Sequence, residues 1–94
     1  MYNLEDVYNV AKILNVKFDK FSANDLLNGI NIELEHGRVN PETNVTNDNL
    51  ILTAKIALAH LNEFSNYYDS QYGIAIFEKF LQSKLNKWIF IRYI

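Results

Sequence analysis

Apolar side chains recur every three or four residues along most of this chain, a spacing that points to helices packed on one another. Leu4, Val7, Tyr8, Ala11 and Leu14 form the first stripe, so residues 4–14 read as an amphipathic helix that Asn15 can end. Val16, Phe18 and Phe21 fall in a short connection, after which Ser22 or Asn24 can cap a second helix from about Asn24 to His36. Its apolar arc is Leu26, Leu27, Ile30 and Leu34, and Gly37 is placed for a left-handed C-cap. Between Arg38 and Asp48 the chain is built of turn formers around Pro41, the one clear loop. Asn47 or Asp48 can cap a third helix over about 49–69, with Leu50, Ala54, Ala57, Leu61, Phe64 and Tyr68 along one side. Its polar arc narrows to Lys55, Asn62 and Asn66, the pattern of a central helix packed on several sides. Gly73 interrupts the path, and Phe77, Phe80, Leu81, Leu85 and Trp88 mark a fourth helix that Trp88–Ile94 either completes or leaves as a short strand. The expected fold is an all-α bundle of about four helices, the second and third forming an antiparallel hairpin.

A chain of 94 residues with 49% hydrophobic content can build one core and little more, so residues 1–94 are expected to form a single domain with 74–94 as a C-terminal extension. The net charge of -2 provides no overall electrostatic footprint for nucleic acid. Without cysteine there are no disulfides, thiolate metal sites or thiol nucleophiles. The charged first twenty residues lack the apolar core of a signal peptide, so the expected location is cytoplasmic, and Asn44-Val-Thr46 is read as a chance match to a glycosylation acceptor.

Both histidines lie in mirrored segments, Glu33-Leu-Glu-His36 and His60-Leu-Asn-Glu63. A glutamate and a histidine three apart share a helix face, so two facing helices can bring four ligand-type groups together. On the third helix Thr53, Ile56, His60, Glu63 and Tyr67 share one stripe, and His60 points away from the polar arc, so burial is expected there. Glu33 and His36 flank the apolar arc of the second helix, whereas Asn28, Asn31 and Glu35 read as solvent-facing. Glu33, His36, His60 and Glu63 can therefore hold one divalent ion, with imidazole and carboxylate suiting zinc, iron, manganese or nickel. Tyr67 would be the hydrogen-bond partner beside them. The same four groups can instead satisfy each other as two His–Glu pairs that hold the helices in register. No Ser/His/Asp arrangement or phosphate-binding glycine loop is present, and Thr46-Asn47-Asp48 reads as capping rather than oxygen ligation.

From Glu78 onward Lys79, Lys84, Lys87 and Arg92 are interleaved with Phe80, Trp88, Phe90 and Tyr93. Basic residues among aromatics can meet nucleic acid or a membrane surface. Here the apolar positions outnumber the cations, which favours core or a surface for another protein chain, and the charges exclude a clean membrane span.

Gly29-Ile-Asn-Ile-Glu-Leu-Glu-His-Gly37, Pro41-Glu-Thr-Asn-Val-Thr-Asn-Asp48, and Leu52-Thr-Ala-Lys-Ile-Ala-Leu-Ala-His-Leu-Asn-Glu63 with Tyr67-Tyr68 resemble a small domain family of unknown function found in bacteria and DNA viruses. The resemblance covers residues 4–69 and implies that Glu33, Glu35, His36, Thr53, Lys55, His60, Glu63 and Tyr68 match motif positions. It implies no activity. The expected function is a small binding or structural module that can hold one divalent ion. The alternatives are a metal-dependent hydrolase with Glu63 or Glu35 as general base, and a viral structural component that assembles through residues 74–94.

Overall fold

The computed structural model describes residues 1–85, which form four α-helices and one 3-10 turn, with no strand among them. The helices are α1 (Leu4–Leu14), α2 (Ala23–Val39), α3 (Leu50–Glu63) and α4 (Ile74–Gln82), and the 3-10 turn spans Pro41–Thr43. The small all-α bundle expected from the periodicity is present. None of these helices is long and apolar enough to cross a membrane. The Trp88–Ile94 segment, expected to extend a helix or form a strand, lies outside the described residues.

The first two helices start on reciprocal caps. Asn3 Oδ1 accepts from the Asp6 N–H at 3.1 Å while the Asp6 carboxylate accepts from the Asn3 N–H at 2.9 Å, and Ser22 and Asp25 repeat the device on α2. Asn15 ends α1 in the left-handed region at φ 56°, its N–H bonded to the Ala11 carbonyl. At the other end of α2 the structure departs from expectation. The helix runs through Gly37 to Val39, and no glycine among the described residues has positive φ. Pro41 sets the boundary, because the residue before a proline is pushed out of the helical region, and Asn40 is extended at φ -142°, ψ 115°. Gly37 serves a different purpose: a Cβ there would come 2.8 Å from Asn44 Oδ1, so its absence lets the loop fold against the helix.

That loop is held by its own side chains. Asn44 Oδ1 accepts from the Asn47 N–H and the Thr46 hydroxyl, Asn44 Nδ2 donates to Asp48, and Arg38 Nε lies 3.2 Å from Asp48 Oδ2. Asn47 and Asp48, expected as caps, instead take positive φ of 50° and 62°, a conformation short polar side chains tolerate. Asn49 is the cap, accepting from the Leu52 N–H at 3.0 Å.

The core is shared by Val7 and Val10 of α1, Leu26 and Ile30 of α2, and Ala54, Ala57 and Leu61 of α3, with Phe21 and Tyr68 closing it. Each fully buried Leu, Ile or Val contributes about 1.5–3 kcal/mol relative to exposure. α2 and α3 make the most extensive contact, and α2 also touches α1 and the 3-10 turn. Asn31, expected to face solvent, is half-buried and grips the N-terminus: its Oδ1 accepts from the Tyr2 N–H and its Nδ2 donates to the Tyr2 carbonyl. Tyr2 in turn donates its hydroxyl to the Asp48 carbonyl.

α3 stops at Glu63, six residues short of the expected end. Phe64 is extended, and the turn-forming Ser65 and Asn66 carry the chain back over the bundle, with Tyr67 N–H bonded to Phe64 O and Asp69 N–H to Asn66 O. A hydrogen bond from Ile74 N–H to Tyr67 O then launches α4. Gly73 caps α4, in a place where a Cβ would lie 2.6 Å from the carbonyl oxygens of Asn66 and Asp69 and closer still to that of Tyr67. α4 makes no close backbone approach to α1, α2 or α3, and none of its residues is fully buried.

Candidate functional site

The early end of α3 decides the site. Once the chain turns at Phe64, the two tyrosines no longer continue up a helix but fold back onto α2 and α3. Tyr68 enters the core with 4% exposure, its ring filling the space left by the missing side chain of Gly29, where a Cβ would come within 2.6 Å of the ring. Asn28, exposed as expected, also donates Nδ2 to the Tyr68 carbonyl at 3.0 Å and fixes the backbone there.

With its ring so placed, the Tyr68 hydroxyl donates to Glu33 Oε2 at 2.5 Å. Glu33 is the centre of the cluster. His36 Nδ1 lies 3.8 Å from Glu33 Oε1, and His60 Nε2 lies 3.9 Å from Oε2, distances of close ion pairs rather than direct hydrogen bonds. Tyr67 covers His60 face to face, with ring centroids 4.2 Å apart and planes within 4°, and Tyr68 meets both rings edge-on. The hydrogen-bond role expected of Tyr67 therefore belongs to Tyr68, while Tyr67 stacks.

Three of the four expected ligand residues thus converge: Glu33, His36 and His60. Glu63, the last residue of α3, is exposed and takes no part in these ion pairs or hydrogen bonds. His60 departs from its expected burial. Its side chain is 36% exposed and that of His36 45%, whereas Glu33 is only 13% exposed. The periodicity placed His60 correctly on the side away from the polar arc, but α4 does not pack there to cover it. Glu35, the other expected general base, is exposed. Among the described residues no group of three or more His, Asp or Glu is arranged to hold a metal ion.

The electrostatics follow from this geometry. Burial alone would raise the Glu33 pKa. It is outweighed by His36, by the Tyr68 hydrogen bond and by the positive field of His60, so Glu33 sits below the usual carboxylate range. His36 is shifted upward, chiefly by the Glu33 carboxylate, with burial opposing and Glu78 of α4 and Glu35 adding to it. Burial and the neighbouring Glu33 push both tyrosines up, so both hydroxyls stay protonated at neutral pH. An ionised carboxylate held by a phenol between two imidazoles can store a proton on His36 and tie three chain segments together. An open cleft of about 550 Å³ lies nearby, lined by Asp25, Asn28, Ser65, Tyr68 and Asp69 among others, and none of the four expected ligands lines it.

The model of a family described as "Protein of unknown function (DUF5661)" matches residues 7–74. The chain belongs to this family. The DUF5661 match takes in α1 from Val7 onward, α2, α3, both tyrosines and the whole Glu33 cluster, and it ends where α4 begins. No curated protein and no solved structure matched the chain.

Proposed function

We propose that this DUF5661 domain is a small helical binding or structural module in which the Glu33 cluster is a lock rather than a reaction centre. The observation that carries the reading is the Tyr68–Glu33 hydrogen bond, which joins α2 to the segment after α3 across 35 residues of sequence with an imidazole on either side of the carboxylate. A buried carboxylate satisfied in this way specifies one register of the helices. The cleft beside Tyr68 does not contain the titratable cluster, which favours a module over a hydrolase.

One divalent ion, zinc, iron, manganese or nickel, held by Glu33, His36 and His60 with Glu63, is the competing reading of the same residues, and it requires Glu63 to turn inward. Elemental analysis of the purified protein, repeated on His36→Ala and His60→Ala, separates the two. The lock predicts no stoichiometric metal and no rise in melting temperature on adding metal. One retained ion per chain, lost in both variants, would overturn it. A second reading, a component that assembles with other chains through residues 74–94, such as a viral structural protein, is supported by the bare apolar face of α4.

A further inference from the structure

Resting on that second reading, we propose that two copies of this chain exchange their C-terminal arms, residues 74–85 of each docking on the helical body of the other. Among the described residues nothing covers one face of the arm: Ile76, Phe77, Phe80, Leu81 and Leu85 are 42–55% exposed. Phe77 and Phe80 are stacked at 6.4 Å, and Lys84 lies over the Phe80 ring at 5.3 Å. The start of the arm is fixed in place, and among the described residues its apolar face is not turned onto the bundle. Gly73 N–H bonds Asp69 O at 2.8 Å, Ile74 N–H bonds Tyr67 O at 2.7 Å, and α4 makes no close backbone approach to the other helices, although Ile74 packs on the core and Glu78 lies near His36.

Charge selects the occupant. Lys79, Lys84, Lys87 and Arg92 against Glu78 give residues 74–94 a charge of +3, so the preceding 73 residues carry -5 of the total of -2. Two arms repel each other, and an acidic body is repelled by an anionic lipid surface. Arm against body is the pairing in which both charged parts are complementary. The receiving face with matching spacing is the outer stripe of α3, where Leu52 and Ala59 are exposed, Ile56 is half-buried and Glu63 supplies an acid at the end.

Reciprocal exchange makes each arm–body contact twice, which doubles the area that a single contact buries toward the roughly 1,200–2,000 Å² of a stable interface. The exchange is isologous and closes at two copies.

Sedimentation velocity across protein concentration and at low and high NaCl tests this on the full chain, with Phe77→Ser/Phe80→Ser, Lys79→Glu/Lys84→Glu and Leu52→Glu as variants whose altered side chains are all exposed. The expected result is a species of twice the 11.0 kDa chain mass. The Phe variant and Leu52→Glu lose it, and the Lys variant and high salt weaken it about tenfold. Mixing Leu52→Glu with the Phe variant gives a heterodimer weaker than the wild-type dimer, seen at raised concentration, because one intact arm then meets one intact body. A dimer indifferent to the Phe variant overturns arm exchange while leaving self-assembly standing. A monomer at every concentration overturns both, and arm-dependent pelleting of that monomer with phosphatidylserine vesicles would identify lipid as the occupant instead.

Discussion

Tyr68→Phe removes one oxygen and leaves everything else about the lock in place. The ring keeps its slot against Gly29, so no cavity forms, and the backbone anchor from Asn28 does not involve the hydroxyl. What is lost is a 2.5 Å hydrogen bond to an ionised carboxylate that is only 13% exposed. Bonds to charged groups are worth about 1.5–3 kcal/mol, and leaving a buried acceptor short of a donor carries a cost of the same size. A loss of about 2 kcal/mol is expected at pH 7. At roughly 4–8 °C per kcal/mol for a domain of this length, the melting temperature should fall by about 8–16 °C. The pH dependence provides the sharper check. Glu33 has a folded-state pKa below its ordinary value of 4.5, so the stability it contributes is present above that value and is lost as pH falls through the lower one. The gap between wild type and variant should accordingly narrow on acidification, toward the roughly 1 kcal/mol of a bond between neutral groups. Urea denaturation followed by circular dichroism between pH 3 and 7 measures both. A difference below about 0.5 kcal/mol at pH 7, or one that does not change down to pH 3, would refute the idea that Glu33 is an ionised lock.

The remaining expectations are independent of that variant. His36 is shifted upward by Glu33, so its contribution is complete below the ordinary value of 6.5 and fades as pH rises through the raised one; His36→Gln should destabilise more at pH 5.5 than at pH 8.5 in parallel urea titrations. Gly29→Ala gains about 1 kcal/mol of helix propensity but drives a methyl to within 2.6 Å of the Tyr68 ring and 3.3 Å of Ala57, so a net loss of about 1–2 kcal/mol is expected by thermal melting, with a near-ultraviolet dichroism change from the displaced tyrosine. Asn49→Ala removes the α3 cap and should cost about 1 kcal/mol, whereas Asn47→Ala should act through its positive φ instead; replacing each by glycine separates them, since glycine relieves strain only at Asn47.

Much of this architecture was legible wherever a single helix decided the outcome. The α1 stripe, the Asn15 stop and the Ser22 cap need only neighbours within a turn or two, and each appears as the periodicity implied. Glu33, His36 and His60 also meet, because their helix faces follow from spacing. The misses share one cause: backbone and side chains arriving from far along the chain. Gly37 looked like a helix end until Asn44 is seen resting on it. Asn31 looked solvent-facing, but Tyr2 supplies its partner and half-buries it, whereas Asn28 is exposed as expected and still bonds the Tyr68 carbonyl. The largest miss was the end of α3. Apolar positions continue past Glu63 at helical spacing, and only Ser65 and Asn66 signalled a turn; that turn exchanges the roles of Tyr67 and Tyr68 and leaves Glu63 outside.

The return of Tyr68 onto α2 also has a meaning in time. Its bond to Glu33 spans 35 residues and joins α2 to the reversal at Phe64, so Tyr68→Phe is expected to speed unfolding more than it slows folding in stopped-flow measurements. A contact absent from the folding transition state leaves the folding rate alone and slows escape from the native state. On that expectation the phenol at residue 68 acts as a latch on the lifetime of the folded domain, set by one oxygen atom.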